Sequence, residues 1–328
     1  MDATINASNV TFRVSLIKSR RYLMIFTITE SVAGLSINAI MVKVFITDKQ
    51  FRKTTYRLLC MVMISDIIAS LNSITGYIIA AYNTLDYHDG ATWCAIFLTV
   101  GAASYAVSMM NLALIAIDRY FVIVRPFSPF YRYYKRNFLI ISEILIWLSS
   151  IGVTMPMTVY VSSYQDTPLF CDLPNINFEK SVYLLILTLT IYVTPALLIV
   201  IAYFRIINFQ RNYVRPGHRT SQQLRKDYAT KRRFIWMLIW ITVCSAFITW
   251  PSFGTVTAIA VTQKSISQLT SGNAVIYFLI FTGYIITLSL NILNPLIILT
   301  FDQHLRRAVW LKFGSNLYQK VIMFTSKS

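Results

Sequence analysis

Seven long apolar runs constrain this chain more than any other feature, at roughly 22–46, 57–82, 93–124, 138–162, 181–207, 233–262 and 274–300. An α-helix rises 1.5 Å per residue, so about 20 mostly apolar residues cross the hydrocarbon of a bilayer. Lipid offers no partner to irregular backbone, so each run is expected to be a helix. The fold class expected is an all-α membrane protein, a bundle of seven transmembrane helices. The first run is already long enough to span, so no cleavable leader is expected. Only 13% of the 328 residues are charged, against about 25% in soluble domains. The net charge of +17 would point to nucleic acid in a soluble chain. Here the cations lie between apolar runs, where topology accounts for them, and no nucleic-acid partner is expected.

The connections set the orientation. After runs 1, 3, 5 and 7 come Lys49, Arg52, Lys53 and Arg57, then Arg125, Arg132, Lys135 and Arg136, then nine cations from Arg205 to Arg233, then Arg306, Arg307, Lys312, Lys320 and Lys327. The opposite side has Arg13, Lys18, Arg20, Arg21, Lys180 and Lys264, with the acids Asp86, Asp89, Asp166, Asp172 and Glu179. Basic loops stay in the cytoplasm. The four cations before run 1 equal those just after it, and the later loops break that tie. Sequons at Asn6 and Asn9 fit an outer N-terminus, because glycosylation takes place on that side. Residues 1–21 are thus expected as an extracellular tail and 22–300 as the seven-helix domain. Phe301, Leu305, Val309 and Phe313 repeat every four residues among Arg306, Arg307 and Lys312, the pattern of a short amphipathic interfacial helix over 301–313. Residues 314–328 are expected as a cytoplasmic tail.

Of four cysteines, Cys60 and Cys244 sit inside apolar runs, where a thiol is a small apolar group. Cys94 and Cys171 lie in outer connections, an oxidising compartment, and are expected to pair. Asp66 lies within run 2, where a charge costs about 2.5–3.5 kcal/mol on insertion scales, so it needs a partner. A protonated or water-bonded Asp66 is the plainer alternative. Glu30 is an acid in the outer half of run 1, and such a group is more often satisfied by a neighbouring helix than by a ligand. His88, His218 and His304 fall in separate connections, and no paired acids occur. Neither an enzyme nor a metal centre is expected.

Run 3 opens near Cys94 and closes on Asp118-Arg119-Tyr120. The 25 residues from Cys94 to Arg119 rise about 37 Å, more than the hydrocarbon thickness of about 30 Å. This spacing and tripeptide resemble rhodopsin-like (class A) G-protein-coupled receptors. Asn38, Asp66, Trp147, Pro195, Tyr203, Trp250-Pro251 and Asn294-Pro295 agree with that family in the right runs and order, from about residue 22 to 313. The resemblance implies a multi-pass plasma-membrane receptor that binds an extracellular ligand and activates a heterotrimeric G protein. It implies that Asp118, Arg119, Tyr120, Tyr203, Asn294 and Pro295 form the G-protein switch. Asp66, Ser108 and Asn294 would then hold an allosteric sodium ion, the one cofactor implied. Arg119, Arg132, Lys135, Arg136, Lys231, Arg232 and Arg233 would face the G protein.

Four positions depart from the family pattern. Ile298 stands where run 7 usually has Tyr, which removes the usual partner of Tyr203. Thr249 holds the place of the run-6 tryptophan, and Trp250 follows it. One residue is about 100° of helix rotation, so Trp250 is expected to turn away from the core. Lys231 replaces the acid that pairs with Arg119 at the foot of run 6, and the tail has no cysteine to carry a palmitoyl group.

Gly101 replaces the amine-binding Asp, and run 7 has no Lys for a retinal Schiff base. The pocket expected from Tyr105, Leu187, Ile191, Ser252, Phe253, Val256, Tyr284 and Thr287 is apolar with scattered hydroxyls. Tyr105, Phe253 and Tyr284 are its main candidate ligand contacts, and Trp93 is expected as an interfacial anchor. Acidic outer loops favour a basic peptide, and the apolar lining favours a lipid or other small chemosensory molecule. A transporter of a small solute is the alternative class. It would need paired broken helices and midplane polar residues, and only the Asp66 cluster is available.

Overall fold

The computed structural model describes residues 2–82, 85–212, 221–271 and 273–314. Among the described residues, seven helices are long and apolar enough to cross a membrane: Tyr22–Thr47, Thr54–Tyr82, Tyr87–Val124, Tyr131–Tyr160, Phe178–Arg211, Ile235–Thr262 and Val275–Phe301. We call the helices that carry these spans α1 to α7. The backbone of α1 starts at Asp2 and runs to Thr47, so residues 2–21 continue it where the sequence pattern predicts a tail. The side chains of Asn6 and Asn9 lie outside the described residues.

Local chemistry sets the boundaries. Asp86 caps α3 by accepting the Asp89 backbone N–H at 3.0 Å, so the helix starts at Tyr87, ahead of the predicted 93. In α4 the regular helix runs Pro129–Thr154. It starts earlier than the predicted 138 because Pro129 fits the first turn, and it stops before Pro156, which lacks an N–H. A single turn, Met157–Tyr160, leads into a hairpin of β1, Ser162–Tyr164, and β2, Thr167–Asp172, antiparallel with Ser162 opposite Asp172. The predicted end of run 4 at 162 therefore falls in a strand.

Each proline inside a span leaves a local mark. In α5 a widened turn, Leu189–Val193, precedes Thr194-Pro195, because Pro195 cannot supply the next helical N–H. In α7, Pro295 leaves the Asn291 carbonyl without its helical donor, and Asn38 of α1 donates to that oxygen at 2.6 Å. α6 and α7 pack closely because Gly283 has no Cβ; one built there would lie 2.9 Å from the Pro251 side chain. Ser252 Oγ also donates to the Gly283 carbonyl at 3.1 Å.

The core lies between α1, α2, α3, α5, α6 and the inner half of α7, with Met41, Leu59, Met63, Ile115, Ile199, Ile206, Met237 and Ile298 fully enclosed. The outward face of α4, with Ile141, Ile144, Leu145 and Leu148, is exposed, as suits a lipid-facing helix. After α7, Asp302 caps α8, Gln303–Val309, and accepts the Tyr56 hydroxyl of α2 at 2.6 Å. Leu305 of α8 is fully buried and Arg306 and Arg307 are exposed, so the short helix is amphipathic. The side chain of Phe313 and residues 315–328, with the predicted cytoplasmic tail, lie outside the described residues.

Candidate functional site

A cavity of about 420 Å³ opens toward the hairpin and reaches down to Asp66. Its position follows from the disulfide. Cys94 at the start of α3 is bonded to Cys171 on β2, which holds Leu169 and Phe170 over the bundle. Gly90 lets the strand sit that close, since a Cβ there would come within 2.3 Å of the Pro168 carbonyl.

Tyr105, Phe253 and Tyr284 all line this cavity, and so do Leu187, Ile191, Ser252, Val256 and Thr287. The Tyr105 ring packs on Phe253 at 5.1 Å, and Phe253 stacks on Tyr192 at 4.7 Å. The Tyr105 hydroxyl donates to Thr249 Oγ1 at 3.1 Å. Among the described residues, Asp66 at the floor is the only carboxylate in the lining, and no Lys, Arg or His lines it.

Trp93 corrects an expectation. It is a wall of the cavity, packed on Phe97 with ring centroids 4.5 Å apart, and its indole N–H is buried with no hydrogen-bond partner. A tryptophan at the outer end of a span meets both the interface and the mouth of the bundle, and its sequence position alone does not separate the two. Glu30 is buried, does not line the cavity, and has one carboxylate oxygen with no partner.

The acids of the outer face also need a correction. Asp172 is fully buried. It accepts the Tyr164 hydroxyl at 2.8 Å and the backbone N–H groups of Ile266 and Ser267 at 2.8 and 3.0 Å. These two residues open the one-turn helix Ile266–Thr270 between α6 and α7. Asp172 thus ties the hairpin to the opposite outer loop and is not available to a ligand. Asp86, Asp89, Asp166 and Glu179 remain exposed.

At mid-membrane, Ser108 Oγ and Asn294 Nδ2 donate to Asp66 at 3.3 and 3.1 Å. Three helices thus place the predicted cluster together. Asn294 Oδ1 is buried without a hydrogen-bond partner. An acid, a hydroxyl and an unpartnered amide oxygen are the hard oxygen donors that a small cation requires.

Beside Asp66 and Glu30, a further acid lies inside a span. Glu143 of α4 accepts from Asn111 Nδ2 at 3.2 Å and from Trp147 Nε1 at 3.1 Å. A lone glutamate inside an apolar run was the available signal. Its three-residue network is a lock between α3 and α4 and gives Trp147 its role.

At the inner end, Arg119 pairs with Asp118 at 2.7 Å. Asp118 is fully buried and also holds Lys135 at 2.9 Å and the Tyr131 hydroxyl. One carboxylate therefore gathers two cations and a phenol, which fastens the start of α4 to the arginine. Tyr120 follows on α3, half-buried against the core. Tyr203 is buried in that core, where Ile298 offers it no hydroxyl. Thr249 is buried and Trp250 is 66% exposed, as the rotation argument predicts. The side chains of Lys231, Arg232 and Arg233 lie outside the described residues.

Seven spans, a disulfide-roofed cavity at one end and an arginine–carboxylate pair at the other define a membrane-spanning receptor bundle. The chain belongs to the 7 transmembrane receptor (rhodopsin family), whose model matches residues 37–297. That is a family of receptors, not enzymes, and it sets aside the transporter alternative. Relatives include the tachykinin-like peptides receptor 99D of Drosophila melanogaster, 25% identical over 299 residues, covering 87% of this chain and 55% of the relative. The substance-P receptor of Rattus norvegicus is 25% identical over 235 residues, covering 69% and 54%. Prokineticin receptor 2 of Mus musculus is 27% identical over 220 residues, covering 63% and 56%. The chain thus spans about half the length of the curated relatives it matches.

Proposed function

We propose that this chain is a plasma-membrane receptor that binds an extracellular peptide and activates a heterotrimeric G protein. The observation that carries the peptide reading is the division of charge on the outer face. The cavity is apolar and aromatic, and the connections at that end of the bundle carry the exposed acids Asp86, Asp89, Asp166 and Glu179. A peptide with an uncharged apolar end and basic residues elsewhere satisfies both zones. The buried Trp93 N–H is a donor for a ligand carbonyl. An anionic lipid finds no cation in the described lining, which counts against the lipid alternative. The relatives are receptors, and one is by name a receptor of tachykinin-like peptides, which supports the same choice.

The orientation that goes with this reading has the N-terminus and the sequons at Asn6 and Asn9 outside and the C-terminus inside. The G protein meets Arg119, Arg132, Lys135, Arg136, Lys231, Arg232 and Arg233. Asp118, Arg119, Tyr120, Tyr203, Asn294 and Pro295 form the switch, and Asp66, Ser108 and Asn294 would hold a sodium ion that neutralises the buried acid in the inactive state.

The test is a G-protein dissociation assay in cells that express the chain, run against a library of peptides and a panel of lipids. Peptides are expected to activate, and Tyr105→Ala and Phe253→Ala should each weaken potency about thirtyfold or more, since truncating a buried aromatic contact removes about 2 kcal/mol or more. Activation by lipids alone, or peptide potency indifferent to both substitutions at matched surface expression, overturns the reading.

A further inference from the structure

An open cleft lies on the lipid-facing side of the bundle between α3 and α5, away from the ligand cavity. Val200, Ile201 and Phe204 of α5 line one side and Tyr120 and Val124 of α3 the other, with Arg205 at the end nearer the basic face. Val200, Ile201 and Phe204 are 61%, 53% and 70% exposed, and Ile199, Tyr203 and Ile206 on the other side of α5 are buried. The cleft therefore faces lipid, while the same helix turns its opposite side to the core.

Depth fixes what Arg205 meets. It lies 27 positions after Phe178, the first residue of the span (205 − 178), or about 40 Å at 1.5 Å per residue. That exceeds the hydrocarbon thickness of about 30 Å, so its guanidinium stands at headgroup level. Tyr120, which also lines the cleft, directly follows Arg119 at the same end of α3. Arg205 is exposed and makes no ion pair with a described acid. A guanidinium at the edge of the hydrocarbon needs a counter-anion, and its planar fork matches the oxygens of a phosphate. The basic face of the bundle, read above as cytoplasmic, adjoins the leaflet that carries anionic lipid.

We propose that the α3–α5 cleft binds one anionic phospholipid, its phosphate on Arg205 and an acyl chain along Val200, Ile201 and Phe204. Tyr120 and Asn208 border the headgroup end and supply further polar contacts there. This site is separate from the ligand cavity and does not depend on which peptide that cavity takes.

The full chain, purified in a neutral detergent, is exposed to equal amounts of phosphatidylserine and phosphatidylcholine, and retained lipid is counted by native mass spectrometry. Wild type should retain phosphatidylserine over phosphatidylcholine by about fivefold, since a basic residue at an anionic surface is worth about 1 kcal/mol. Arg205→Gln should lose most of that preference and Arg205→Lys should keep part of it. Arg57→Gln removes an exposed cation at the inner end of α2 and should behave as wild type. Soluble glycerophosphoserine, the headgroup without chains, should not displace the lipid. A melting curve of each variant in detergent alone checks that it is folded, and Phe204→Ser, which removes the chain contact and keeps the charge, supplies a second readout by weakening retention. The proposal is overturned if folded Arg205→Gln matches wild type or if Arg57→Gln loses as much, which would mean net charge alone. It is equally overturned if glycerophosphoserine displaces the lipid, which would mean a bare anion site.

Discussion

Asp66 is enclosed by three helices, and two neutral donors are all that its carboxylate receives among the described residues. Neutral hydrogen bonds do not cancel a buried negative charge, so a cation or a proton must. If sodium serves, the wild type should melt at a higher temperature in sodium chloride than in an equal concentration of a bulky organic cation. Asp66→Asn should abolish that difference, because the amide carries no charge to neutralise. A thermal shift assay in both salts checks it, and equal melting in the two salts for the wild type counts against sodium. At this scale the sequence was readable where chemistry is local. Thr249 and Trp250 exchange buried and exposed places because one residue turns a helix by about 100°, and Asp66, Ser108 and Asn294 meet because each lies in the half of its span nearer Arg119. Asp172 was not readable. Its donors Ile266 and Ser267 lie 94 and 95 positions away, and nothing near Asp172 marks it as different from the exposed acids around it.

Among elements, the contact between α3 and α4 bears most on switching. Asp118 must hold Arg119, Lys135 and Tyr131 together, so its charge is divided between two cations that repel each other. Removing Lys135 leaves Arg119 as the one cation paired with the carboxylate among the described residues, beside the Tyr131 hydroxyl. Lys135→Gln is therefore expected to lower ligand-independent G-protein activation severalfold, as a shift of about 1 kcal/mol in a two-state equilibrium does. Asp118→Asn should raise it by freeing Arg119, and Lys231→Glu should lower it by offering the arginine a second acid. Basal signal at matched surface expression reads all three, and a rise in Lys135→Gln would show that Lys135 anchors the inactive arrangement instead of competing within it. The helices themselves were legible, because each span is a long apolar run. The ends of α3 and α4 were less so. Asp86 extends α3 by capping it, and Pro156 ends α4 inside what still reads as a hydrophobic stretch.

For the whole molecule, the Cys94–Cys171 bridge, at a sequence separation of 77, closes a loop that contains α4 and the hairpin. The chain-entropy model gives about 4–5 kcal/mol for a loop of that size. Cys94→Ser combined with Cys171→Ser should lower the melting temperature by several degrees and weaken ligand binding together, because the bridge also roofs the cavity. Melting and binding measured on the double variant and on reductant-treated wild type check this. Unchanged values in both would show that packing alone holds the hairpin.

The hairpin has a second fastening at Asp172, whose carboxylate reaches the loop between α6 and α7. Covalently fixed at one edge and hydrogen-bonded at the other, the mouth has little freedom to widen. That affects time more than affinity. A ligand that needs a wider mouth must wait for those backbone hydrogen bonds to open, and it passes Phe170 on its way in or out. For such a ligand both rates would be slowed, and the exit rate, not the encounter rate, would set how long a signal outlasts its stimulus.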